Sequence, residues 1–311
     1  MNILITGGRG FVGSATIAHL EHVRNHTIGK DGQFELNWHV YDLMDSHDIR
    51  DRSQLADYVI QHDIDRILHL AAIARFSDAD RDPLLAWDIN VSGTQTVVSV
   101  AEEFHIPLVF ASTGSAIMPL DEFDPPYAED IPARGNSVYG CSKALGEKIV
   151  ARHTPHIILR YAHLYGPEKR FHGLVGGFLD RISRGLAPRL YGGAQTNDFV
   201  YVRDVARANY LALAASWDRW GEIYNIGSSE ELSAEKAGEV ICRLTGYQAA
   251  VERLTGRTVD PGRFKFDTRK AALKLGFTAE YSFEEGMKDM LAQMEKIGQP
   301  MRINVEAFMR D

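Results

Sequence analysis

Cysteine is almost absent from this chain. Only Cys141 and Cys242 occur in 311 residues, which excludes a disulfide framework and fits a reducing compartment, so a cytoplasmic protein is expected. Long apolar runs are also missing. No stretch approaches the roughly 20 residues that a membrane-spanning helix needs, so no membrane partner is expected. The first apolar strand begins at residue 2, and we expect no signal peptide. Positive charge is scarce: 34 lysines and arginines stand against 42 acidic residues, a net charge of −8. No basic cluster offsets that balance, which argues against nucleic acid as a partner. His19, His22 and His26 have helix-like spacing but no cysteine or carboxylate at ligand distance, so they read as solvated side chains and no metal is expected. Repeats and low-complexity segments are absent. What remains is an ordinary globular composition, 45% apolar and 24% charged, in a chain long enough for one large domain or two intimate ones.

Asn2-Ile-Leu-Ile-Thr6 reads as a buried parallel strand. Gly7, Gly10 and Gly13 follow at three-residue spacing, and a helical pattern starts at Phe11 and Val12 and runs to about Arg24. A tight turn needs glycine dihedrals, a pyrophosphate needs bare backbone, and a helix N-terminus offers N–H groups and a positive dipole end. Strand, glycine turn and helix together form a dinucleotide cradle. Thr27 to Asn37 reads as a loop. Trp38 to Tyr41 is the second strand, and Asp42 at its end is placed to take the adenosine ribose hydroxyls. A carboxylate there repels a 2′-phosphate, so NAD is expected rather than NADP. A rival register makes Thr27 to Lys30 the strand and Asp31 the acid; Trp38 to Tyr41 is the better strand. The strand Asp65 to Ala72 ends in small residues, and Leu70, Ala71 and Ala72 let a ligand lie close. The alternation of strands and helices along the first half predicts a right-handed parallel α/β sheet.

The reactive group is predicted around Ser137-Val-Tyr-Gly-Cys-Ser-Lys143, which opens a helix. Tyr139 and Lys143 are four residues apart and share a helix face. A tyrosine is a poor base at its ordinary pKa of about 10, but a nearby ammonium favours the phenolate, and an oxidised nicotinamide adds a second positive charge. Thr113 ends the preceding strand and can bond the same substrate oxygen. The three make an acid/base group suited to alcohol–ketone redox chemistry. Cys141 reads as a small buried thiol.

With these motifs in order, the chain resembles the extended short-chain dehydrogenases/reductases, the NAD-dependent epimerase/dehydratase family that includes UDP-galactose 4-epimerase. The resemblance runs nearly end to end through Gly7/Gly10/Gly13, Asp48-Ile49, His69 to Ala72, Asn90 to Thr94, Ala111 to Thr113 and Tyr139 to Lys143. It continues through Leu159 to Pro167, Asp198 to Asp204, Tyr224 to Gly227 and Asp267 to Ala271. The compressed stretch from Asp42 to Asp48 looks more like the dTDP-4-dehydrorhamnose reductase branch. The resemblance implies that Asp48 and Ile49 flank the adenine, that Asn90 and the backbone near Tyr161 belong to the cofactor site, and that Thr113, Tyr139 and Lys143 are catalytic. It also implies a Rossmann-type doubly wound sheet, 1–161 plus about 204–227, a smaller C-terminal α/β substrate domain, 162–203 and 228–311, and a homodimer formed through the Tyr139 helix and the helix near Asn90.

The departures from the family concern the substrate end. His163 stands where Asn is common, Asn197 where Arg is common, and Gly173 about where an Asn contacts a nucleotide diphosphate. Arg257, followed by Asp260, fits the phosphate-binding arginine pattern, and Lys169, Arg170 and His172 are further cations nearby. Gly114 and Ser115 follow Thr113, where sugar 4,6-dehydratases carry Asp-Glu and decarboxylases carry Glu at the second position. The resulting expectation is an NAD-dependent epimerase of a nucleotide sugar, with Thr113, Tyr139, His163, Asn197 and Arg257 on the substrate. A keto-sugar reductase or sugar dehydrogenase is the alternative, and a non-catalytic dinucleotide binder a third.

Overall fold

The computed structural model describes residues 1–27, 35–120, 122–153, 155–167, 173–254 and 262–296. Its centre is a six-stranded sheet of β1 (Asn2–Thr6), β2 (Asn37–Tyr41), β3 (Arg66–His69), β4 (Leu108–Thr113), β5 (His156–Tyr161) and the edge strand Glu222–Ile226. The spatial order is the edge strand, β5, β4, β3, β1, β2, and every pair is parallel. From β1 the chain goes out to β2 on one side and comes back to β3 on the other. Thr6 lies opposite both Tyr41 and His69, so three carboxyl ends come level at this reversal. Such a switch point opens the crevice where doubly wound sheets take ligands. The sheet is of the Rossmann type.

The strand sequences explain the layers. Successive side chains point to opposite faces. Ile3, Ile5, Val109, Ile157 and Leu159 enter one core, while Leu4, Leu108, Phe110 and Ile158 enter the other. Both faces are covered, so the strands are apolar throughout rather than alternating.

The helix Phe11–Thr27 follows the glycine turn directly and outruns its expected end by three residues. Asp51 caps Arg52–Gln61 by accepting from the Gln54 N–H at 3.0 Å, and Ser137 caps Val138–Val150 by accepting from the Gly140 N–H at 3.0 Å. The helix expected around Asn90 is not regular. Pro83–Trp87 passes into a π-helical turn, Asp88–Gly93, before the helix Thr94–Glu103. Such single π-turns inside a helical stretch are rare and have no residue signature of their own, so the sequence does not show it.

A separate core gathers Tyr165, Phe178, Leu190, Tyr201, Ile241, Phe283 and Met287. It is built on the helices Gly173–Ser183, Ala234–Leu244 and Phe283–Lys296 and on a parallel pair of short strands, His163–Tyr165 with Phe199–Tyr201. From there Val202–Leu213 packs back onto Phe11–Thr27 before the chain enters the edge strand of the sheet. Among the described residues no helix is long and apolar enough to cross a membrane.

Candidate active site

A cleft of about 570 Å3 opens where the strands of the sheet end. Its floor is the glycine turn. Gly7 has a positive φ of 71°, and a Cβ there would stand 2.7 Å from the backbone of Ala71. A Cβ on Gly13 would stand 2.5 Å from the carbonyl oxygen of Gly7. Side chains at these positions would force the turn away from the backbone it packs on, and the first N–H groups of a helix have no intrahelical partner. Gly7, Gly10, Phe11, Val12 and Gly13 all line the cleft, as do Leu70, Ala71 and Ala72 at the end of β3. This cradle fits a dinucleotide pyrophosphate.

Asp42 lies at the end of β2, on the rim. Its Oδ2 accepts from the Arg9 N–H at 2.9 Å and its Oδ1 from the Met44 N–H at 3.0 Å. The rival acid, Asp31, lies outside the described residues. Asp48 and Ile49 also line the cleft. The Asp48 carboxylate is engaged by the Arg50 guanidinium, 2.6 Å at the closest, which holds it below the usual carboxylate range. Arg50 reaches Asp88 as well, at 2.5 Å. Arg9 lies inside the glycine turn and Arg50 two residues beyond Asp48, but their pairing with Asp45 and Asp88 appears only in the tertiary contacts.

Thr113, Tyr139 and Lys143 meet at the other end of the same cleft. The Thr113 side chain is hydrogen-bonded to the Tyr139 hydroxyl, which favours the phenolate. Burial outweighs that bond and pushes Tyr139 above its ordinary value. Both groups are buried, and desolvation favours the neutral form of each. Burial brings Lys143 down to about 7, opposed by the charge of Glu147 one turn further along the helix. The Lys143 ammonium also sits 4.1 Å from the centre of the Phe110 ring. Glu147 was not singled out in the sequence, although Tyr139, Lys143 and Glu147 share one spacing of four.

A hydrogen-bonded chain runs beneath the cleft. Thr94 Oγ1 donates to the Asn90 carbonyl at 2.7 Å, so it accepts from His69 Nε2 at 3.0 Å. Thr6 Oγ1 then donates to His69 Nδ1 at 2.7 Å. Burial, with the Lys143 charge, takes His69 down to about 3, and it is a neutral imidazole. Asn90, implied by the resemblance to be at the cofactor, is not among the residues lining the cleft. Its amide donates to the Ile73 carbonyl at 3.0 Å and to Ser142 Oγ at 2.9 Å, and accepts from the Ile73 N–H at 2.8 Å. It holds the cleft wall rather than facing into the cleft. Tyr161 lines the cleft and is anchored through its hydroxyl to Asn209 at 2.6 Å.

The far wall is supplied by Tyr165, Gly166, Gly173, Val175, Gly176 and Met290. His163 is not part of this wall. Its ring lies 6.0 Å from Phe199 and 5.9 Å from Phe264, centre to centre. Asn197 lines a second, narrow depression with Ser115, Leu120, Arg263 and Phe264. Arg257, Asp260, Lys169, Arg170 and His172 lie outside the described residues. No group of three or more His, Cys, Asp or Glu side chains suited to a metal occurs among the described residues.

Residues 3–227 match the model of the NAD dependent epimerase/dehydratase family. The chain belongs to that family. It is 31% identical over 310 residues to a Methanocaldococcus jannaschii protein provisionally named a UDP-glucose 4-epimerase, covering 94% of this chain and 98% of that one. It is 28% identical over 329 residues to the dTDP-glucose 4,6-dehydratase of Haemophilus influenzae, covering 93% and 96%. The crystal structure of Thermotoga maritima UDP-glucose 4-epimerase with UDP-glucose superposes with a TM-score of 0.82 at 28% identity, covering 96% and 99%. As a member of the NAD dependent epimerase/dehydratase family the protein is an enzyme, and NAD is its cofactor.

Proposed function

We propose that the protein is an NAD-dependent epimerase of a nucleotide-activated sugar, acting at C4. The observation that carries this reading is the junction of Thr113, Tyr139 and Lys143 in one cleft with the dinucleotide cradle. NAD, when bound, takes up and returns a hydride. The chain supplies the rest. Thr113 holds the sugar hydroxyl against Tyr139, Tyr139 takes its proton, and Lys143 stabilises the phenolate by its charge. The proton returns by the same path after the keto sugar has turned its other face. Asp42 takes the ribose hydroxyls, and Asp48 and Ile49 lie beside the adenine.

Gly114 argues against water elimination. A Cβ there would stand 2.7 Å from the Phe264 ring and 2.9 Å from that of Phe266. A carboxylate side chain at this position would have to displace the Phe264 and Phe266 rings, and neither Gly114 nor Ser115 supplies the carboxylate pair of a dehydratase. We take the core around Phe178, Tyr201 and Phe283 as the substrate-binding unit. We place the enzyme in the cytoplasm as a homodimer. Leu84, Trp87 and Leu145 are exposed on the helices Pro83–Trp87 and Val138–Val150, which are in contact, and a partner would cover them.

The test is a panel of UDP- and dTDP-hexoses assayed for the C4 epimer, with Tyr139→Phe beside the intact enzyme. We expect interconversion at constant NAD, lowered in the variant by about two to four orders of magnitude. Accumulation of NADH equal to product would identify a dehydrogenase instead. Near-normal turnover by Tyr139→Phe would remove Tyr139 from the reaction.

A further inference from the structure

We propose that the ion pair between Arg9 and Asp45 selects NAD against NADP, because Asp45 withholds the Arg9 guanidinium from a 2′-phosphate. The inference rests on the reading above that Asp42 marks the adenosine ribose. The two dinucleotides differ only by a phosphate on that ribose. Arg9 stands beside the same carboxylate: its backbone N–H donates to Asp42 Oδ2, and the residue lines the cleft. An arginine fork at this point would suit a phosphate. Here the fork is already taken. Arg9 Nε and Nη2 reach the two oxygens of Asp45 at 2.9 and 3.1 Å.

Asp45 is held in place for this. It ends the short turn Leu43–Asp45, whose start is capped by the Asp42 carboxylate, and its own N–H donates to the Asp42 carbonyl at 2.9 Å. Asp45 is not among the residues lining the cleft. The Arg9 side chain is 54% exposed, so little packing opposes its turning towards a ligand; the carboxylate of Asp45 is what holds it. The next cation along the rim, Arg50, is likewise committed to Asp48 and Asp88. A 2′-phosphate therefore meets Asp42 with both neighbouring arginines neutralised. NAD needs no cation there and loses nothing.

The test measures binding, not turnover. Dissociation constants for NAD+ and NADP+ are determined by titration calorimetry on protein freed of nucleotide, for the intact chain, Asp45→Asn, Asp45→Asn with Arg9→Ala, and Asp42→Asn. Asp45→Asn should tighten NADP+ by about tenfold or more while NAD+ changes by only about threefold or less, the scale of one charged hydrogen bond gained. The gain should vanish when Arg9→Ala is added, and should shrink in high salt. No gain in Asp45→Asn, an equal gain for both cofactors, or a gain that survives Arg9→Ala overturns the proposal. Asp42→Asn separates the two layers. If it weakens NAD+ while Asp45→Asn gains nothing, only the role of Arg9 and Asp45 falls. If it leaves NAD+ unchanged, the ribose lies elsewhere and the proposal falls with that reading.

Discussion

Glu147 and Arg160 meet in a two-point ion pair, at 2.9 and 2.8 Å, buried one helical turn beyond Lys143. The same carboxylate accepts from Ser112 Oγ at 2.6 Å, and Arg160 donates onward to the carbonyls of Glu129 and Ile131 at 3.1 and 3.3 Å. One contact thus ties β4, β5 and the helix of Tyr139 together next to the reacting groups. It also places beside Lys143 the negative charge that opposes its desolvation.

Glu147→Gln should leave the Arg160 charge buried without its counter-charge. Breaking such a pair costs about 3–5 kcal/mol, because the remaining ion keeps its desolvation penalty. Urea unfolding should show a lower midpoint with an unchanged slope. A midpoint equal to that of the intact chain would mean that the pair contributes nothing.

His69 should make the protein sensitive to acid. Its folded value of about 3 lies below the ordinary 6.5, so the unfolded chain takes up the proton first. The contribution is fully present above about pH 6.5 and is lost as pH falls towards 3, on the order of 5 kcal/mol in all. Unfolding free energies at pH 7, 5.5 and 4 should fall more steeply for the intact chain than for His69→Gln. Parallel slopes would show that His69 is not the group responsible.

Asn90→Ala distinguishes a wall from a ligand. Removing the amide strands the N–H and C=O of Ile73, at about 1–3 kcal/mol of stability. We expect a lowered unfolding midpoint with a smaller effect on NAD+ affinity, measured by urea titration and calorimetry on the same preparation. Unchanged stability with a large loss of NAD+ binding would put the side chain on the cofactor.

The fold was legible because its signals are local. A parallel strand buried on both faces is apolar throughout, as in Ile3 to Ile5 and Ile157 to Leu159. The helix after the glycine turn and the helix of Tyr139 follow from residues within one turn of each other. The π-helical turn at Asp88–Gly93 was not legible, because such single turns are rare and carry no residue signature of their own. Asn90 belongs to a recognisable motif, yet where its amide points depends on Ile73 and Ser142, which lie 17 and 52 residues away.

By itself the sequence determined the parallel α/β sheet, the bare-backbone cradle at Gly7 to Gly13 and the shared face of Tyr139 and Lys143. Each follows from backbone sterics, short unbroken apolar runs or helical spacing over a few residues. Only the tertiary structure decided that Thr113 bonds Tyr139 and that burial raises Tyr139 and lowers Lys143. It also decided that His69 is a neutral link in the floor and that Arg9 is spent on Asp45. These outcomes depend on desolvation and on directional contacts between distant segments. Neither is defined until the chain has closed around the cleft.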